Sequence, residues 1–494
     1  MMEAGLKEKL KTGVLAGLIL TGLLQVGIHW NLQIQGHPFR FVSILFQAGA
    51  DNTVIDEKLL SARKIGYITP NRIVVSDEQS ARWVLGTAGE PWRTAWDDLK
   101  LHYLPLLGVE KPDKQLQRSS WDQLLASRRT VLFEFEHSIP AELLPWLTGT
   151  ASEKKGITFA STLTDIEKIA VVPSENVNSN INTVYVLSSQ GVYRFMVALP
   201  ADALPKNWYV MDQKVLANAE NHLYSLMGET LFVPSARQDL LVSTDETDTV
   251  ALPSYEAALP EAIVSTFSMD NLQALQESLL LNRKDSLLPK LDEVSGDVTF
   301  SDTENTFKLD TAGNFSYRYL PGAGTEGTDM ESAFRQALSF LEERRWLLGD
   351  TGLILDKVST FEAGTAVPSG KALAFTFSFS YRVDGCTVLG KDAASGKTVS
   401  PVIITAITDR IIECDWCIRK FTPIVNNQWN VFFVDFYPEA IKTFPVLQEK
   451  GQELSILRNG YLIPEKEATA KLDPLWILQA KGVLYSLPMR KAGP

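Results

Sequence analysis

Residues 12–30, TGVLAGLILTGLLQVGIHW, are the only apolar run in this chain of 494 residues long enough to cross a bilayer. An α-helix rises about 1.5 Å per residue, so a run of this length spans about 28 Å, close to the roughly 30 Å of a hydrocarbon core. The run contains nine Leu, Ile and Val residues, four glycines and Gln25. Each of the nine is worth about −0.3 to −0.6 kcal/mol near the membrane centre, which favours insertion. Lys7, Lys9 and Lys11 precede the run, and the first cation after it is Arg40. The positive-inside rule therefore places residues 1–11 in the cytoplasm and the bulk of the chain outside. A cleaved signal peptide has the same charge pattern but needs a small-x-small site after a shorter apolar core. Gly27-Ile28-His29-Trp30-Asn31 supplies none. The expectation is a cell-membrane protein with one retained span and an extracytoplasmic ectodomain.

Within the span, Gly13 and Gly17 form a GxxxG that permits close helix approach near the cytoplasmic leaflet, and Gln25 can hydrogen-bond across a helix interface. These three are the candidate partner-binding residues. The remainder reads as globular, with 45% hydrophobic and 21% charged residues overall. The chain carries a net charge of −12 and its tail, residues 1–11, carries +1, so the rest bears −13. Such a surface repels nucleic acid and anionic polymers.

Three cysteines, Cys386, Cys414 and Cys417, are too few for a disulfide-stapled fold. Cys414-Asp-Trp-Cys417 matches CxxC, but IIE and IRKF around it read as strand. Residues three apart on a strand point to opposite faces, so structural thiols are expected, with a Cys386 bridge as the alternative.

The apolar spacing organises residues 37–150, 156–321 and 328–490 into three helix-plus-antiparallel-sheet domains, an α+β class. In the first, Trp92, Trp96, Leu99 and Tyr103 recur at helical spacing. VLFEFE at 131–136 alternates, predicting a strand with Val131, Phe133 and Phe135 buried and Glu134 and Glu136 in solvent. In the second, helices are expected at 215–227 and 271–281, and residues 298–321 predict three short strands with turns at Asp302 and at Ala312-Gly313-Asn314. The third follows a glycine-rich linker at 322–327. It opens with a helix bearing Phe334, Ala337, Leu338 and Leu341, and continues with LAFTFSFSY, whose Phe375, Phe377, Phe379 and Tyr381 share one face. That pairing predicts a helix packed on an antiparallel sheet, continued by strands at 402–408, 410–418 and 429–436 and a helix at 438–450.

No catalytic set emerges. The five histidines, His29, His37, His102, His137 and His222, have no metal-ligand spacing. Ser61 and Ser152 each begin an SxxK, and Ser174-Glu-Asn176 fits SxN, as in acyl-serine wall enzymes, but the only Lys-Thr-Gly, residues 11–13, sits at the membrane entrance. GKDAASGKT at 390–398 has one residue too many for a P-loop and reads as a hairpin loop. The acidic run at 245–248 lacks the glycine of a calcium loop. Neither a cofactor nor a metal is expected.

Several segments resemble the YycH family in order along the chain. RRTVLFEFEHSIPAELLPWL (128–147), IVSTFSMDNLQAL (263–275), the 298–321 meander, and a closing pattern with Gly460-Tyr461 and Leu472, Pro474 and Trp476 carry the likeness. The closing pattern is shared with the sister YycI family. The resemblance implies a non-catalytic, membrane-anchored regulator of a cell-wall-controlling two-component system in Gram-positive bacteria. Its implied partners are a WalK/YycG-like sensor histidine kinase and a YycI-like sister protein, met through the membrane helix and the ectodomain. Two other functions fit an anchored ectodomain: a ligand- or wall-binding module, or a serine acyl-enzyme of wall metabolism.

Overall fold

The computed structural model describes residues 66–491 apart from 77–81, 88, 108–110, 128, 145, 147–162, 175–178, 200–221, 231–236, 238, 244–248, 265–287, 293–294, 303, 320–328, 350, 363–372, 392–397, 433–436, 449–453, 465–466 and 481. The expected membrane helix, with Gly13, Gly17 and Gln25, lies outside the described residues, as do both SxxK serines and the expected helix at 271–281. Among the described residues no helix is long and apolar enough to cross a membrane.

The described chain is α+β and rich in sheet. In chain order its strands begin β1 (Arg72–Ser76), β2 (Arg82–Val84), β3 (Lys114–Leu116), β4 (Thr130–Pro140), β5 (Asp165–Val172), β6 (Ile181–Ser188), β7 (Gly191–Ala198), β8 (His222–Leu226), β9 (Leu241–Val242) and β10 (Thr249–Ala258). Next come β11 (Leu288–Leu291), β12 (Val298–Ser301), β13 (Asn305–Leu309), β14 (Asn314–Tyr319), β15 (Gly352–Glu362), β16 (Leu373–Val383), β17 (Cys386–Lys391), β18 (Thr398–Val399), β19 (Val402–Ile407) and β20 (Arg410–Cys417). The last are β21 (Lys420–Asn430), β22 (Leu454–Leu462), β23 (Thr469–Leu472), β24 (Leu475–Ala480) and β25 (Val483–Pro488).

The first sheet has nine strands in the order β3-β7-β6-β5-β4-β1-β2-β8-β9. It joins strands from both sides of the 150–156 break, since β4 pairs with β5 (Phe133 opposite Ile169). A thirteen-strand sheet runs β11-β12-β13-β14-β20-β19-β16-β17-β22-β24-β25, with β15 on β16 and β18 on β17. It likewise spans the 322–327 linker, through the β14–β20 pair. Its β17–β22 pair is parallel. A third sheet of three strands runs β21-β10-β23.

The predicted aromatic stripe is core: Trp92, Trp96, Leu99 and Tyr103 are all buried. They lie on α1 (Glu90–Asp98), which continues through a π-helical turn, Leu99–Tyr103, into Leu104–Leu107. Pro91 occupies the first turn, where a missing N–H costs no helical hydrogen bond. Strand β4 departs from expectation. Val131, Phe133 and Phe135 do join the main core, but the opposite face is buried too, because Leu132 packs with Trp121, Leu124 and Leu125 of α2 (Ser119–Ser127). Glu134 and Glu136, expected in solvent, are therefore each only 4% exposed. A central strand covered on both sides cannot show the simple alternation of a half-solvated one.

The three-strand meander at β12–β14 forms as predicted. Asp302 Oδ1 accepts from the Glu304 N–H at 2.7 Å in the first turn, and Gly313 takes the second at φ +84. The helix-on-sheet packing also forms. Helix α3 (Met330–Glu343) is capped by Asp329, whose Oδ2 accepts from the Ser332 N–H at 2.9 Å. Its Phe334 meets Phe377 of β16 at a ring-centroid distance of 5.1 Å and Trp146 at 5.5 Å. Two expectations are corrected. Part of the helix expected at 215–227 is strand, β8, followed by a single helical turn at Met227–Thr230, because residues 222–226 pair beside β2. The strand expected at 429–436 ends at Asn430 and lies in the small sheet beside β10. The helix at 438–450 is α4 (Tyr437–Thr443) followed by a 3-10 turn, Pro445–Gln448.

Candidate functional site

Polar side chains fasten the segment before β1 to α3 and to β16 of the thirteen-strand sheet. The Tyr67 hydroxyl donates to Glu342 at 2.7 Å, and Arg382 Nη1 donates to Thr69 Oγ1 at 3.1 Å and to the Pro70 carbonyl at 3.2 Å. Between the sheets lie two open cavities. One of about 760 Å³ is lined by Thr69, Trp92, Arg382, Asp384, Ile424 and Asn426, and one of about 520 Å³ by Arg72, Ser243, Asp384, Arg458, Asn459 and Trp476. Strand β21 borders the larger cavity and is the edge of its sheet, with Ile424 and Val425 about half exposed. Such an edge offers unpaired backbone groups to another chain.

Two buried charge clusters flank β4. In the first, Glu134 accepts from Arg72 Nε at 2.8 Å and forms an ion pair with Lys168 Nζ at 2.7 Å, and Lys168 Nζ reaches Asp239 at 2.7 Å. Arg237 closes on Asp239 at 2.9 Å and on Glu167 at 3.2 Å. Burial alone would raise the Asp239 carboxyl, but Lys168 and Arg237 hold it well below its ordinary value. In the second cluster, Arg458 of β22 pairs with Glu136, and the Thr387 hydroxyl donates to both Glu136 oxygens at 3.2 and 3.3 Å. One ligand atom each from Glu136, His137 and Asp356 of β15 lie within 4.8 Å of one another. Burial, with Lys357 adding to it, pushes His137 down to about 4 and keeps it neutral. Asp356 is pushed up to about 7 by burial, against the lowering effect of the Ser380 and Ser400 hydroxyls. His137 thus has the long-range company that its sequence spacing did not announce.

The cysteines are free thiols. Cys414 and Cys417 lie on β20 as expected. Burial pushes all three up, Cys386 to about 12, which suppresses thiolate chemistry. The 390–398 segment joins two paired strands, β17 and β18, as a hairpin. Of the segment that carries the candidate partner-binding residues Gly13, Gly17 and Gln25, nothing falls among the described residues.

No protein-family profile matches the chain, and no curated protein matches its sequence. A solved structure does. The crystal structure of YycH from Bacillus subtilis superposes with a TM-score of 0.52 at 11% identity, covering 85% of this chain and 96% of that one. The fold is YycH-like. A second solved structure, an uncharacterized protein from Eubacterium rectale, is similar over 50% of this chain and 86% of its own, at 11% identity and a TM-score of 0.33.

Proposed function

We propose that this chain is a non-catalytic, single-pass membrane regulator of a cell-wall-controlling sensor histidine kinase of the WalK/YycG type, with a YycI-like protein as companion. The observation that carries the reading is the YycH-like fold over 85% of the chain. The apolar segment at 12–30, with lysines only before it, supports an anchor with the sheets outside the cell. Gly13 and Gly17 then form the close-packing face toward the kinase's own membrane helices, and Gln25 adds a polar contact. The exposed β21 edge supplies the ectodomain contact. A coupling of about 1 to 3 kcal/mol suffices, since it changes a two-state kinase equilibrium about 5- to 150-fold. In a membrane two-hybrid assay the full-length chain is expected to signal with the kinase. A chain that signals with no sensor kinase of this type, yet pulls down wall material through its ectodomain, would replace this reading with that of a wall-binding module.

A further inference from the structure

The second charge cluster has the composition and the surroundings of a metal centre. Asp356 is 2% exposed, and both serine hydroxyls that reach it, Ser380 and Ser400 (the latter at 2.8 Å), donate to Oδ2. Its Oδ1 is buried with no hydrogen-bond partner, and no cation pairs with Asp356 among the described residues. A buried carboxylate oxygen left this way costs free energy unless something occupies it. His137 stands beside it, partly buried and with no ring hydrogen bond among the described residues. Glu136 completes the triangle.

We propose that Glu136, His137 and Asp356 bind one divalent ion of the zinc type, which ties β4 of the first sheet to β15 of the thirteen-strand sheet. One imidazole and two carboxylates form a mixed nitrogen and oxygen set, which suits zinc and disfavours calcium or magnesium, whose sites are built from oxygen. Zinc bonds of about 2.0 to 2.2 Å place tetrahedral donors roughly 3.3 Å apart. Atoms already within 4.8 Å therefore need only small side-chain adjustments to close on the ion. Both carboxylates have the outer partners that metal-ligating carboxylates usually have: Arg458 and Thr387 on Glu136, Ser380 and Ser400 on Asp356. Two carboxylate charges against a dication leave the centre neutral, with Arg458 on Glu136 and the charge of Lys357 acting on His137. The ligands come from one pair of neighbours on β4 and from a strand more than 200 residues later in the chain, so the ion's effect is on the junction of the sheets.

The test uses the full-length chain in detergent. After dialysis against zinc chloride and then against metal-free buffer, elemental analysis is expected to find one zinc per chain, and chelation by EDTA is expected to lower the melting temperature by several degrees. His137→Gln alters a part-exposed side chain and Asp356→Asn keeps its shape, so both are expected to fold, to hold at least tenfold less zinc, and to melt independently of EDTA. Wild-type protein that retains no zinc would overturn the proposal. So would equal zinc retention by both variants, which marks adventitious binding elsewhere, or equal stabilisation by calcium, which marks an oxygen site.

Discussion

Replacing Lys168 with methionine isolates the buried network at the centre of the first sheet. Among the described residues its ammonium is the one group that touches both Glu134 and Asp239, each at 2.7 Å and each nearly inaccessible. Breaking a buried pair by removing one partner costs about 3 to 5 kcal/mol, because a charge is left uncompensated. Arg72 still holds Glu134 and Arg237 still holds Asp239, so the loss is expected at the lower end, about 3 kcal/mol. At about 2.1 cal/mol/K per residue, a unit of about 430 residues unfolds with about 0.9 kcal/mol/K, so the melting temperature falls by about 3 °C. The pH dependence gives a sharper signature. Lys168 and Arg237 hold Asp239 below its ordinary pKa, so its contribution is complete above about pH 4 and is lost as pH falls. The variant lacks part of that contribution, so its deficit relative to wild type is expected to hold from pH 7 to about pH 4 and to shrink as the pH falls further. Adding Glu134→Leu is expected to cost less than the sum of the two single changes, because each removes the same contact. Thermal melts across that pH range decide it. A deficit below about 1 kcal/mol at pH 7, or one that grows as the pH falls below about 4, would refute the reasoning.

Gly460 sits in β22, where an added Cβ would lie 2.6 Å from the Thr387 carbonyl oxygen and 2.2 Å from Ile477 Cδ1. Gly460→Ala is expected to cost about 1 to 3 kcal/mol in equilibrium unfolding, and Ile477→Val in the same chain to recover part of it, since only the side-chain clash is relieved. Phe334→Ala empties the contact among α3, Trp146 and β16 and is expected to cost about 3 to 5 kcal/mol by the same measurement. Cys386, Cys414 and Cys417 are expected to resist iodoacetamide in the native protein at pH 7 and to be alkylated on unfolding, read by mass spectrometry.

The local parts of the fold were legible because short-range patterns decide them. The stripe from Trp92 to Tyr103, the 298–321 meander with its Asp302 and Gly313 turns, and the α3 helix on the aromatic face of β16 all follow from spacing and turn chemistry. What was not legible is long-range. Glu134 and Glu136 read as solvated because alternation within β4 says nothing of Lys168, Asp239 or Arg458, which come from elsewhere in the chain to cover them. The same holds for His137 and Asp356, brought together by the packing of two sheets. Residues 215–227 are amphipathic enough for a helix, and a partner strand, β2, turned their end into β8. Sequence spacing likewise could not announce that sheets would form across the 150–156 and 322–327 breaks.

The regulatory account is tested most directly by co-purifying the WalK/YycG-type kinase from membranes with the full-length chain and with its Gly13→Leu, Gly17→Leu double variant. The account predicts that the wild-type chain captures the kinase and that the double variant captures at least several-fold less while its ectodomain melts unchanged. Undiminished capture by the double variant, or no capture by the wild-type chain, would contradict it.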